Sequence, residues 1–164
     1  MVGIGSQKVL DGNATDEERS AQQAWIQYVN DMLAAYSEYT VILLVNDFIE
    51  KNPADTLDHG TLTAFGKLVE SEIVAVNSNV SLIPSGNAEG AARWSKAYED
   101  GRSANAIMYN YASDVENGLG FFRMITLNAE AGTIAVATYS PVLDRDSYDE
   151  AHPEYDFFTI ENAF

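Results

Sequence analysis

The sequence predicts an α+β fold, a single domain over residues 1–164, in which a helix-strand-helix-strand layer is followed by antiparallel hairpins. Three observations carry this. A long stretch of helical periodicity sits behind a capping signal. Short, unbroken β-branched runs alternate with helical stretches in the first half. In the second half, apolar residues alternate in pairs of extended stretches joined by glycine-containing turns.

The first helix is expected over residues 16–36. Thr15 and Glu18 have the spacing of a capping box, in which each side chain bonds the other residue's backbone. Ala21, Trp25, Tyr28, Val29, Met32, Leu33 and Tyr36 then follow near a 3.6-residue period. "YTVILLVND" is short and uninterrupted, and reads as a parallel central strand buried on both faces. "EKNPADTLDHG" is a polar loop. "TLTAFGKLVESEIVAVN" gives a second helix with Leu62, Phe65, Leu68, Val69, Ile73 and Val76 on its apolar side. "NVSLIPSG" is the next strand.

Beyond Gly90 the pattern changes. "ARWSKAYEDGRSANAIMYNYA" is a hairpin turning at Asp100-Gly101. "GFFRMITLNAEAGTIAVATYS" is a second, turning between Asn128 and Gly132. "DRDSYDEAHPEYDFFTIENAF" is an acidic loop followed by a short strand at Phe157 to Ile160. The opening "MVGIG" has the look of the middle of a strand, as expected of a piece of a longer chain.

Composition bounds the function. With 46% apolar residues, seven Phe, nine Tyr and two Trp, the chain can build a core. Twenty-five acids against nine bases give a formal charge of −16, which repels nucleic acid and anionic membranes, so neither is expected as a partner. There is no cysteine, which excludes disulfides, thiolate metal sites and cysteine nucleophiles. The longest apolar run, Val41 to Val45, is far short of the ~20 residues of a membrane helix, so no membrane insertion is expected. No basic-then-apolar leader opens the chain. The compartment is not fixed by any of this.

The stretch "IPSGNAEGAARW" has the form of a ligand-presenting loop: an apolar strand end, Gly86, Asn87, Ala88, Glu89 and Gly90. Gly86 and Gly90 are expected to supply a tight turn with positive φ. "VILLVND", "LTAFGKLV", "NVSLIPSGNAEG" and the run from "DGRSANAIMYNYA" through "NGLGFFRMITLNAEAGTIAVATYSPVLD" occur in an order that resembles the C-terminal half of calcineurin-like metallophosphoesterases. The resemblance covers residues 20–160 or so and rests most on its late hairpins. It implies half of a metallophosphoesterase-like αββα sandwich.

In that family this half supplies histidine ligands from two loops. One is a T-H after the strand matching "VILLVN"; the other is G-H-x-H-G after the strand matching "SLIPSG". Carried over, the histidine positions are Asn46, Asn87 and Glu89. The metal-ligand motifs of the family's first half do not occur. Such enzymes hold two metals about 3.5–4 Å apart to clamp phosphate and generate hydroxide. Imidazole suits those metals; two amides and one carboxylate do not replace three imidazoles.

The resemblance therefore implies no catalytic residue and no cofactor here, where the family would hold two divalent metals. The expected function is a non-catalytic, degenerate metallophosphoesterase-like domain with a structural or binding role. The alternative is the C-terminal half of a metal-dependent phosphoesterase whose N-terminal half is missing. Asn46, Asn87 and Glu89 converging on a hard cation is chemically permissible, since magnesium and calcium take oxygen donors. A half-sandwich leaves strand edges open, so a homodimer or the missing half is the expected partner.

Other residues are read as structural. His59, beside Asp58, and His152 are isolated histidines on loops. Asp144, Asp146 and Asp149 lack the glycine and glutamate of a calcium loop. Tyr98, Tyr109, Tyr111, Phe121, Phe122 and Tyr139 fit half-buried sheet packing. Arg93, just after the glycine loop, is expected to pair with surplus carboxylates, and Arg102 and Arg123 are the other bases of note.

Overall fold

A computed structural model of the chain describes residues 12–52, 59–112 and 115–164. The strand expected at "MVGIG" and Asp58 lie outside the described residues.

Helix α1 spans Asp16–Ala35. Its capping box closes as the sequence requires: Thr15 N donates to Glu18 Oε2 at 2.8 Å and Glu18 N to Thr15 Oγ1 at 3.2 Å. The buried face is Ile26 and Leu33, with Trp25 and Val29 packed alongside. At the far end the Asn79 amide donates to the carbonyls of Leu33 and Tyr36 at 3.1 and 3.0 Å, supplying partners that a helix end lacks.

The main sheet is built on β5, Val80–Gly86. On one side β5 pairs in parallel with β1, Val41–Ile42, and with β2, Val45–Asn46. On the other it pairs in parallel with β7, Ser103–Asn110, which pairs antiparallel with β6, Gly90–Ala97. A three-stranded antiparallel sheet holds β8, Phe122–Asn128, β9, Thr133–Tyr139, and β10, Phe157–Ile160, with β9 in the middle. A small ribbon pairs β3, Ile49–Lys51, with β4, Gly60–Leu62.

Successive strand residues point to opposite faces, and β5 and β7 use both. Ile83, Ala106 and Met108 join Ile26, Leu33, Val69, Ile73 and Val74 in the larger core, on the helical side. Leu82 and Ile107 join Ile134, Val136 and Ala163 against the three-stranded sheet. The order of layers is helices, main sheet, small sheet: a mixed α+β architecture, with two α-helices and several sheets among the described residues. Among the described residues no helix is long and apolar enough to cross a membrane.

Two expectations are corrected. "VILLVN" is parallel, but among the described residues it lies at the edge of the main sheet, not at its centre, and it is split into β1 and β2. Val41, Leu43 and Val45 pack on the helical core, while Leu44 on the other face is 79% exposed. The second helix is α-helical only over α2, Ala64–Val69; Glu70–Val74 continues it as a π-helical turn.

The close approach that seats α2 is glycine-dependent. A Cβ on Gly66 would lie 1.9 Å from the Phe48 carbonyl oxygen, a backbone atom. Gly66→Ala is therefore expected to destabilise by about 3 kcal/mol or more, read from urea denaturation.

Candidate functional site

The parallel register places Asn46 opposite Gly86, so the loops leaving β2 and β5 emerge side by side. Asp47 N donates to Gly86 O at 3.1 Å, and Phe48 N to Ser85 Oγ at 3.1 Å. Thr63, the N-cap of α2, accepts from Gly66 N at 2.9 Å and donates its hydroxyl to Asp47 O. One helix cap therefore anchors both its own first turn and the loop after β2.

Asn87 Nδ2 donates to both carboxylate oxygens of Asp47, at 3.0 and 3.1 Å. Both residues are left-handed, with φ of 56° at Asp47 and 74° at Asn87. Asn and Asp tolerate that conformation better than other side chains with a Cβ. This corrects the glycine expectation: the positive φ falls on Asn87 and on Gly90, at 82°, while Gly86 is an ordinary β residue. A Cβ on Gly86 would stand 3.4 Å from Asn46 Oδ1.

Of the three expected site residues, the structure brings the Asn46 and Asn87 positions to adjacent strand ends. It adds Asp47, which sequence reasoning passed over. Asn46, Asn87 and Glu89 are all exposed. No hydrogen bond or ion pair among the described residues ties Glu89 to the two amides, and Ala88 between Asn87 and Glu89 packs on the larger core. No group of three His, Asp or Glu among the described residues is placed to hold a metal ion.

The remaining candidates resolve into structural parts. His152 stacks on Tyr155 at 4.8 Å and contacts Glu154 at 3.2 Å. The backbone of His59 forms an isolated parallel β-bridge with Arg93, whose guanidinium lies 4.7 Å from the centre of the Phe158 ring. Tyr111 and Phe121 are buried, whereas Phe122 and Tyr139 meet edge-to-face on the outer side of the small sheet. In the acidic tail, Asp144 accepts from Tyr139 Oη at 3.0 Å.

Two polar centres stand outside these expectations. Asp156, 2% exposed, accepts from Ser147 Oγ, Tyr148 N and Asp149 N at 2.8–2.9 Å through one oxygen. Its other oxygen accepts from Tyr111 Oη at 3.3 Å and lies 3.7 Å from Arg123 Nη2. Arg123 also donates to Tyr155 O at 2.8 Å and to Thr138 Oγ1 at 3.3 Å. The acidic tail is thus wound around one buried carboxylate. The sequence offers no mark that sets Asp156 apart among its acids.

The second centre opens the π-helical turn. Glu70 Oε1 accepts from Lys96 Nζ at 2.7 Å and from Tyr98 Oη at 2.8 Å, joining the turn to β6 and its exit. Burial pushes the Glu70 carboxyl up, but the bonds from Lys96 and Tyr98 outweigh it and hold it below the ordinary range. Burial and the Glu70 charge raise the Tyr98 phenol. Arg102 stacks 3.8 Å from the Tyr98 ring centroid, pairs with Asp100 at 3.0 Å, and donates to the carbonyls of Val74 and Ala75.

Comparison with known proteins finds no family model, no curated protein and no solved structure that matches the chain.

Removing one partner of a buried pair strands the other charge. Asp156→Ala is expected to lose about 3–5 kcal/mol of stability in chemical denaturation, well above the effect of Asp144→Ala at the exposed end of the tail. Glu70 has a depressed folded-state pKa, so its contribution is complete at neutral pH and is lost as pH falls through that value. The stability difference between wild type and Glu70→Gln should be largest at neutral pH and shrink in acid, measured as denaturation midpoints across a pH series.

Proposed function

We propose that the chain is a non-catalytic, degenerate metallophosphoesterase-like domain with a structural or binding role, built as half of an αββα sandwich. The observation that carries the reading is the closed hydrogen-bonded pair of Asn87 and Asp47. It occupies the loops where the resemblance would place histidine ligands. There, an amide spends its donor on the one carboxylate nearest to it. The donors there are amide oxygens, the Asp47 carboxylate already bonded to Asn87, and an exposed Glu89, with no imidazole among them, a weak set beside the roughly three strong ligands that an open catalytic metal site requires.

The layer order also supports the reading. Helices cover one face of the main sheet, the small sheet covers the other, and the outer side of the small sheet exposes Phe122, Met124 and Phe157. A second reading, the C-terminal half of a metal-dependent phosphoesterase, is favoured by the edge at β1 and β2, with which no other described strand pairs.

Metal content after purification, together with p-nitrophenyl phosphate hydrolysis under added manganese, separates the two. The expected result is no bound transition metal and no turnover above the buffer blank. Metal-dependent turnover that Glu89→Ala abolishes overturns the first reading in favour of the second.

A further inference from the structure

The β1–β2 edge of the main sheet, with which no other described strand pairs, and one flank of α1 both carry exposed apolar side chains that the function above does not use. Val41, Leu43 and Asp47 donate their N–H groups to Asn79, Leu82 and Gly86, toward β5. Alternation along the strand turns the backbone groups of Ile42, Leu44 and Asn46 the other way, where no described strand pairs with them. The side chains of Ile42 and Leu44 are exposed beside them.

On α1, Asn30 marks the flank that meets the π-helical turn, donating to Glu72 O at 3.0 Å. Tyr28, Met32 and Tyr36, spaced four apart, form a stripe on the opposite flank, and all three are exposed, Tyr28 by 63%. Tyr39 extends the stripe, meeting Tyr36 edge-to-face at 6.0 Å. Residues 24–46, which carry this surface, contain only two charged side chains, Asp31 and Glu38, in a chain with 25 acids and nine bases. The patch is apolar, aromatic and charge-poor, as the centres of protein interfaces are.

We propose that this surface pairs with a second copy of the same chain, β1–β2 edge against β1–β2 edge, antiparallel across a two-fold axis. Two facts select that occupant. An open strand edge is self-complementary under a two-fold axis, because each residue's donor and acceptor meet those of its counterpart. Two chains of −16 repel over most of their surface, and this is a face on which they approach with little charge opposed. A basic partner would be drawn to the acidic faces instead. The surface stands independently of the phosphoesterase likeness.

The proposal has a salt signature. Long-range repulsion between like-charged copies is screened as the Debye length falls from about 30 Å at 0.01 M to about 8 Å at physiological ionic strength. Self-association should therefore strengthen with salt.

Sedimentation velocity of the full chain, across a concentration series at low and at physiological ionic strength, tests this. The expected result is a monomer–dimer equilibrium that tightens with salt. Leu44→Glu and Met32→Glu, each placing like charges across the two-fold, should weaken it at least about tenfold. Both sites are exposed, and an unchanged far-ultraviolet circular dichroism spectrum shows that each variant still folds. A monomer at every concentration in both salts overturns the proposal. So does a dimer that neither variant weakens.

Discussion

The constraint on which the rest of the structure depends is the two-sided burial of β5. It pairs in parallel with β1 and β2 on one side and with β7 on the other. Its neighbouring residues Leu82 and Ile83 are both inaccessible, on opposite faces. Parallel strands are joined by crossovers and keep both faces covered. One cover is α1, α2 and the π-helical turn; the other is the antiparallel sheet of β8, β9 and β10. Parallel order also sends the chain out of β2 and β5 at the same end. The Asp47–Asn87 pair sits there because the strands deliver it, at the carboxyl end of the sheet where such folds present their loops.

Buried charge then fixes how the outer pieces attach. Removing charges from water costs more than a loose pair returns, and each of these carboxylates is held by several hydrogen bonds. Asp156 has four hydrogen-bond donors and the Arg123 guanidinium around it, and they draw the tail at 147–149, Tyr111 and β8 to one point. Glu70 draws the π-helical turn onto Lys96 and Tyr98. With nine bases against 25 acids, basic side chains are scarce, and Lys96, Arg102 and Arg123 are all committed to such attachments. The surplus acids keep the surface negative.

What the sequence made legible follows from how local each signal is. The capping box and the 3.6-residue stripe of α1, the Asp100-Gly101 turn and the alternating late strands depend on neighbours in the chain, and each appears where the pattern put it. "VILLV" was misplaced for a physical reason. An unbroken apolar run looks the same in a strand buried on both faces and in an edge strand with one apolar face open; only the order of strands distinguishes them. The π-helical turn keeps Ile73 and Val74 buried and so preserves the apolar pattern that signalled an α-helix. In the loops, Asn46 and Asn87 were singled out by the family resemblance, and the structure places both at the ends of adjacent strands. Asp47 became visible only once two loops 40 residues apart were brought together. Asp156 and Glu70 owe their roles to burial, which no spacing of acids encodes.

The free edge and the loop pair are mechanically one object. Asn46 belongs to both: its backbone lies on the outer side of β2, and its side chain stands against Gly86. The next residue, Asp47, turns left-handed, a conformation that costs a residue with a Cβ roughly 1–2 kcal/mol unless its neighbours hold it. Those neighbours are Gly86 O, Asn87 and the Thr63 hydroxyl. Anything that pairs with the edge must set the backbone of Asn46, and through it the turn at Asp47. Anything that seats in the loops must act on the same turn. The edge and the loop cluster therefore share two consecutive residues, Asn46 and Asp47.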